Sequence, residues 1–173
     1  MAGSWDLALT MKQHRYFILL GLGLCFAASG LRAQAGLGLP QGSGSAEDSV
    51  RATVNLLFSA MKNSDSDALR SAFTDSAILQ TIYNDKDGKI AVANYPVAEF
   101  AKAIAHLPNG AADERVQFDV VRVEGPLGIV WAPYRFYYNG KLTHCGIDSF
   151  QLLRTERGWK IMYLVDTRKK DCQ

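Results

Sequence analysis

The stretch VQFDVVRVEGPLGIVWAPYRFYYNGKLTHCGIDSFQLLRTERGWKIMYLVDTR, Val116 to Arg168, decides the fold. Its strand-like runs are interrupted at Gly125-Pro126, at Asn139-Gly140 and at Glu156-Arg157-Gly158, the pattern of one antiparallel meander. Asn-Gly between aromatic and β-branched runs is a strong hairpin signal, because both central residues of a type I′ turn need positive φ. Fixing that turn fixes the register, and the register decides which side chains share a face. A two-residue loop pairs Tyr138 with Lys141. One face then carries Tyr137, Arg135, Pro133, Trp131 and Ile129 opposite Leu142, His144, Gly146, Asp148 and Phe150. Reading 156–158 as a three-residue loop pairs Thr155 with Trp159. It sets Asp166 beside Asp148, Leu164 beside Phe150 and Met162 beside Leu152. This face grades from apolar to polar, as expected of a cavity with a greasy floor and a few converging polar groups near its mouth. The other face, with Tyr134, Phe136, Ile147, Tyr163 and Val165, is more uniformly apolar.

Upstream of the meander the pattern is helical. Ser45-Ala-Glu-Asp48 is a capping-box-like start, and Val50, Val54, Leu57, Phe58 and Met61 follow as one apolar stripe. Asn63-Ser64-Asp65 separates this helix from a short second one over Asp67 to Arg70. Phe73 to Tyr83 reads as a strand and Lys89 to Asn94 as its hairpin partner. Between them Asp85-x-Asp87-Gly88 reads as a turn, since the downstream Glu of a calcium loop is missing. Pro96 opens a third helix through Leu107, with Val97, Phe100, Ile104 and Leu107 on one face, and Pro108-Asn109-Gly110 ends it. Helices set to one side of an antiparallel sheet make an α+β fold.

The front of the chain points outside the cytoplasm. Lys12, His14 and Arg15 precede the apolar run Tyr16 to Ala28, and Ala33-Gln34-Ala35 is a small-x-small site. That is the pattern of a secretory signal peptide over residues 1–35, with Met11 the more natural start. The run is shorter than the roughly 20 residues a bilayer span requires, so no stable anchor is expected after processing. Gly36 to Ser45 reads as a flexible linker and 46–170 as a single domain. Removing residues 1–35 takes away three of 19 basic and one of 17 acidic residues, leaving a formally neutral chain. Neutral charge with interspersed signs leaves no electrostatic footprint for nucleic acid. Cys145 and Cys172 survive processing, and an even pair in an oxidising compartment suggests a disulfide. No metal or cofactor is expected: one histidine on the candidate face and scattered aspartates lack ligand spacing, and there is no phosphate loop or Gly-x-Ser-x-Gly nucleophile.

The order of elements, together with His144-Cys-Gly-Ile-Asp148-Ser-Phe150, Gly158-Trp-Lys-Ile161 and Asp166-Thr-Arg168, resembles the nuclear-transport-factor-2-like superfamily. These residues are similar to those of its SnoaL-like and lumazine-binding-like secreted bacterial members. It covers residues 46–170 and implies a cone: a curved antiparallel sheet wrapped around the N-terminal helices. It also implies that Asp148-x-Phe150 points inward and that the outer sheet face can form a homodimer interface. The superfamily hosts enzymes, carriers and dimerisation modules alike, so the resemblance fixes fold rather than reaction.

The candidate pocket is Trp131, Arg135, His144, Asp148, Phe150, Met162, Leu164 and Asp166. His144 beside Arg135 is either an exposed polar pair or a pocket histidine. Asp148 and Asp166 side by side need a counter-cation such as Arg135 or Arg168, as a structural network or as a functional one. Two functions compete. One is an exported module that binds a small, largely apolar molecule or simply dimerises. The other is a cofactor-free isomerase, dehydratase or cyclase with His144 and Asp148 or Asp166 as general acid–base groups. His144 and Asp148 are four residues apart on one strand, about 13 Å at the usual rise. A direct hydrogen bond is therefore excluded, and the pair would act through Asp166, a water or the substrate.

Overall fold

The computed structural model describes residues 44–172. The signal-peptide reading of residues 1–35, and the linker up to residue 43, lie outside the described residues. Helix α1, Ala46–Lys62, begins with a complete capping box between Ser45 and Asp48. Its stripe Val50, Val54, Leu57, Phe58 and Met61 is buried as its spacing requires. Each such side chain contributes about 1.5–3 kcal/mol on leaving water. Helix α2, Ser66–Ser71, is capped by Asp65. Strands β1, Phe73–Asn84, and β2, Ile90–Asn94, form a hairpin. At its turn the Asp85 carboxylate accepts hydrogen bonds from the amides of Asp87 and Lys89. Helix α3, Val97–Ala105, follows Pro96.

The remaining chain is β3 (Ala112–Val116), β4 (Val120–Glu124), β5 (Leu127–Tyr138), β6 (Lys141–Thr155) and β7 (Gly158–Arg168). The sheet runs β2-β1-β7-β6-β5-β3, with β4 also pairing to β5. The fold class expected from sequence is present, with one difference: β1 lies parallel to β7, so the curved sheet is mixed. Strand β3 was not anticipated either, because Asp113-Glu114-Arg115 has no apolar alternation.

The meander follows the predicted turns but not the predicted register. Asn139 and Gly140 both have positive φ, at 49° and 76°, and Tyr138 pairs with Lys141. Two residues on, a β-bulge at Thr143 brings Phe136 opposite His144, and every later β5–β6 pair is displaced by one. Trp131 therefore faces Ser149, and Ala132 faces Asp148. At the next turn Thr155 pairs with Gly158 rather than Trp159, and a second bulge at Met162 restores the count. The expected neighbours Asp148/Asp166 and Phe150/Leu164 are consequently found, while Leu152 meets Ile161 instead of Met162.

Two glycines allow close approach. A Cβ on Gly128 would lie 2.9 Å from Val50 of α1, so the helix sits directly on β5. A Cβ on Gly146 would lie 1.7 Å from the Thr167 carbonyl oxygen, where β6 and β7 press together. Past this point Cys145 exchanges backbone hydrogen bonds with Lys169, and the Cys145–Cys172 disulfide spans 5.8 Å between Cα atoms. No described helix is long and apolar enough to cross a membrane.

Candidate functional site

Between the inner sheet face and helices α1 and α3 lies a cavity of about 280 Å³. Leu57, Phe58, Met61, Phe100 and Ile104 wall it from the helices, and Leu79, Phe136 and Leu164 from the sheet. Its polar end is made by Thr81 of β1, Glu114 of β3, Tyr134 of β5, His144 and Asp148 of β6, and Asp166 and Arg168 of β7. Past Thr81, Tyr95, His144 and Arg168 a wider hollow of about 720 Å³ opens toward Tyr83, Lys169 and Lys170.

Of the eight expected pocket residues, four line this cavity: His144, Asp148, Leu164 and Asp166. Phe150 is buried behind the wall, edge-on to Phe58 with ring centroids 6.2 Å apart. The other three are corrected by the two bulges. Trp131 is 48% exposed on the outer face, Arg135 is exposed beside it on the same face, and Met162 is 39% exposed at its bulge. Their places inside are taken by Tyr134 and Phe136, read from sequence as outer-face residues, and by Glu114 and Thr81. Arg168, and not Arg135, supplies the cation.

Hydrogen bonds at the polar end are unevenly shared. Asp166, 8% exposed, accepts from the Thr81 hydroxyl at 2.5 Å. The Tyr134 hydroxyl lies 3.0 Å from its other oxygen and 3.1 Å from the Thr167 carbonyl. Arg168 stands 3.7 Å away. Asp148, 2% exposed, has no such company. No hydroxyl, amide or cation of the described residues donates to its buried Oδ2. The acid coupled to it is the Glu114 carboxyl, and two carboxyls share a hydrogen bond only when one holds a proton.

The electrostatics agree with a protonated pair. Burial above all pushes Asp148 well above the carboxylate range, and the charges of Glu114 and Asp166 push the same way. Burial also raises Glu114 to about 7, opposed by its hydrogen bond with Asp148 and by Arg168. Tyr134 is pushed up by burial and by the surrounding carboxylates, so its hydroxyl keeps its proton. Burial and the Arg168 cation lower His144 to about 4, which leaves a neutral ring stacked 4.8 Å from Phe136. Among the described residues no three His, Cys, Asp or Glu side chains are grouped as metal ligands. Chemically, the site offers an apolar slot ending in three acids, one cation and one neutral imidazole.

The fold has solved counterparts. An NTF2-like protein of unknown function from Shewanella baltica superposes with a TM-score of 0.54 at 16% identity, over 71% of this chain and 93% of its own. A domain of unknown function with a cystatin-like fold from Nostoc punctiforme gives 0.56 at 19%, over 73% and 80%. An NTF2-like protein of unknown function from Silicibacter pomeroyi gives 0.53 at 17%, over 70% and 93%. At these identities the likeness is one of fold. No curated protein matches the chain. Its fold is thus NTF2-like, residues 45–164 match the family described as "Putative lumazine-binding", and the chain belongs to that family.

Proposed function

We propose that the domain is a small-molecule binding module, exported and held by its disulfide in an oxidising compartment. The observation that carries this reading is the cavity of about 280 Å³, apolar along its length and closed by converging polar groups. Its volume suits a body of one or two fused rings, and the family's description, which names lumazine, makes two-ring heteroaromatics the first ligands to try. Disulfides persist in secreted and periplasmic proteins, which supports export together with the signal-like N-terminal pattern. The test is a native mass spectrum of the purified oxidised protein, followed by NMR titration with neutral aromatic probes. A retained molecule, or shifts at Phe136 and Leu164, supports the module. A cavity that takes up nothing defeats it.

The outer sheet face supports an assembly as well. Leu127, Ile129 and Trp131 are 43%, 41% and 48% exposed along β5, and Leu153, opposite Leu127, is 39% exposed. A second copy placed there would cover an apolar patch that is costly to leave in water. Sedimentation equilibrium should then show a dimer that Trp131→Glu dissociates; a monomer at high concentration removes the assembly.

One feature favours catalysis over binding alone, namely a carboxyl pair in which burial raises Asp148 well above the carboxylate range and Glu114 to about 7. Isomerase or dehydratase chemistry would use Asp148 as the acid–base group, with His144 or Asp166 alongside. Turnover lost in Asp148→Asn with probe binding retained would support it.

A further inference from the structure

We propose that Asp148 and Glu114 form the recognition point for a cationic nitrogen head, an amine or amidine, carried on a flat apolar body. The inference rests on the cavity being a ligand site and goes on to specify the chemistry of its occupant.

Three donors at the polar end are turned toward Asp166: the Thr81 hydroxyl, the Tyr134 hydroxyl and the Arg168 guanidinium. Asp148 is left with a buried oxygen that lacks a donor, in a wall that faces the cavity. A buried acceptor without a partner costs about 1–3 kcal/mol, so a ligand donor arriving there recovers energy that the empty fold does not. An amidine can present two parallel N–H groups to one carboxylate, a charge-assisted bidentate geometry. An anion placed at the same point would meet Glu114, Asp148 and Asp166 at once. The neutral His144 ring adds no charge that would repel a cation. Helices α1 and α3 face the site only with Leu57, Phe58, Met61, Phe100 and Ile104, so no further charge reaches it from the helices. Lys169 and Lys170 at the outer hollow are exposed, where salt screens them.

Binding of the cation expels the proton that the carboxyl pair shares: the pair becomes two carboxylates, the proton passes to solvent, and the ligand charge takes its place. Affinity for a cation therefore increases with pH as Glu114, raised to about 7, loses its proton. Tyr134 keeps its proton there, and His144 is already neutral.

The experiment uses the oxidised full chain and three probes of one shape: benzamidine, benzyl alcohol and benzoate. Calorimetry at pH 6 and 8, in buffers of different ionisation heat, reads affinity and proton release. Benzamidine should bind at least tenfold more tightly than either other probe, tighten about tenfold from pH 6 to 8, and release protons. Asp148→Asn should remove the preference for benzamidine while benzyl alcohol still binds. Glu114→Gln should flatten the pH dependence. Equal or better binding of benzyl alcohol or benzoate overturns the cation reading and leaves the binding module standing. So does an Asp148→Asn protein that keeps the preference. Failure of all three probes to enter the cavity removes both.

Discussion

Replacing Glu114 by Gln should stabilise the protein at alkaline pH and leave it unchanged at acid pH. In the fold Glu114 keeps its proton up to about pH 7, whereas the ordinary value is 4.5. Between those limits the folded state binds more protons than the unfolded chain, so stability falls as pH rises. The slope is about 1.4 kcal/mol per pH unit, which comes to roughly 3 kcal/mol lost between acid and neutral solution. Gln has the same shape, donates an N–H to Asp148 and carries no proton to lose. The difference between variant and parent should therefore be near zero at pH 4.5 and grow to about 2–3 kcal/mol by pH 8. His144 titrates over part of the same range in the opposite sense, since its folded value is lowered to about 4. It does so in both proteins, and the difference cancels it. Urea unfolding at several pH values is the assay. With a urea slope of about 1–3 kcal/mol per molar, the midpoint should move up by about 1 M or more at pH 8. A variant that is destabilised, or shifted equally at every pH, would refute the shared-proton account of the pair.

Three other outcomes follow from the same geometry. Gly146→Ala should cost more than about 3 kcal/mol or prevent folding, because its Cβ would meet the Thr167 backbone carbonyl; soluble yield and urea midpoint report it, and a shift under 1 kcal/mol contradicts the packing. Cys172→Ser opens a link across 27 residues and should lower stability by about 3 kcal/mol, read by urea unfolding of oxidised and variant protein, with an unchanged midpoint as the contrary result. The His144 ring should titrate near pH 4 in an NMR experiment, and a midpoint at the usual 6.5 would place it in water instead of against Phe136.

What the sequence showed and what it hid have separate physical causes. The Asn139-Gly140 turn was legible because positive φ leaves few residue choices, and α1 was legible because a capping box and a single stripe coincide. The sheet faces were not. Along β5 the inward residues are Gly128, Val130 and Ala132, while Leu127, Ile129 and Trp131 point out. Size and hydrophobicity therefore favour the wrong face. The inward set is small because α1 presses onto it, as the clash of a Cβ on Gly128 with Val50 shows. Alternating small residues in a strand were the available sign of that close approach. A bulge, in contrast, leaves little trace in composition: nothing marks Thr143 as the extra residue. Glu114 was hidden by two charged neighbours, and Thr81 by a strand whose partner runs parallel to it.

The Thr143 bulge also determines what the site can do. In the unbulged register Arg135 would stand among the carboxyls and neutralise them with a permanent cation. The bulge turns Arg135 outward and brings Tyr134 inward, where its hydroxyl is spent on Asp166 and the Thr167 carbonyl. Three acids then share one arginine, and one of them, Asp148, is left in the cavity wall coupled to Glu114 and with no donor to its buried Oδ2. A protein that merely needed a stable core would do better with the arginine inside, because an uncompensated buried carboxylate costs several kcal/mol. Keeping the acids short of donors makes sense where something from outside supplies the missing hydrogen bonds, and the apolar slot leading to Asp148 is the route by which it would come.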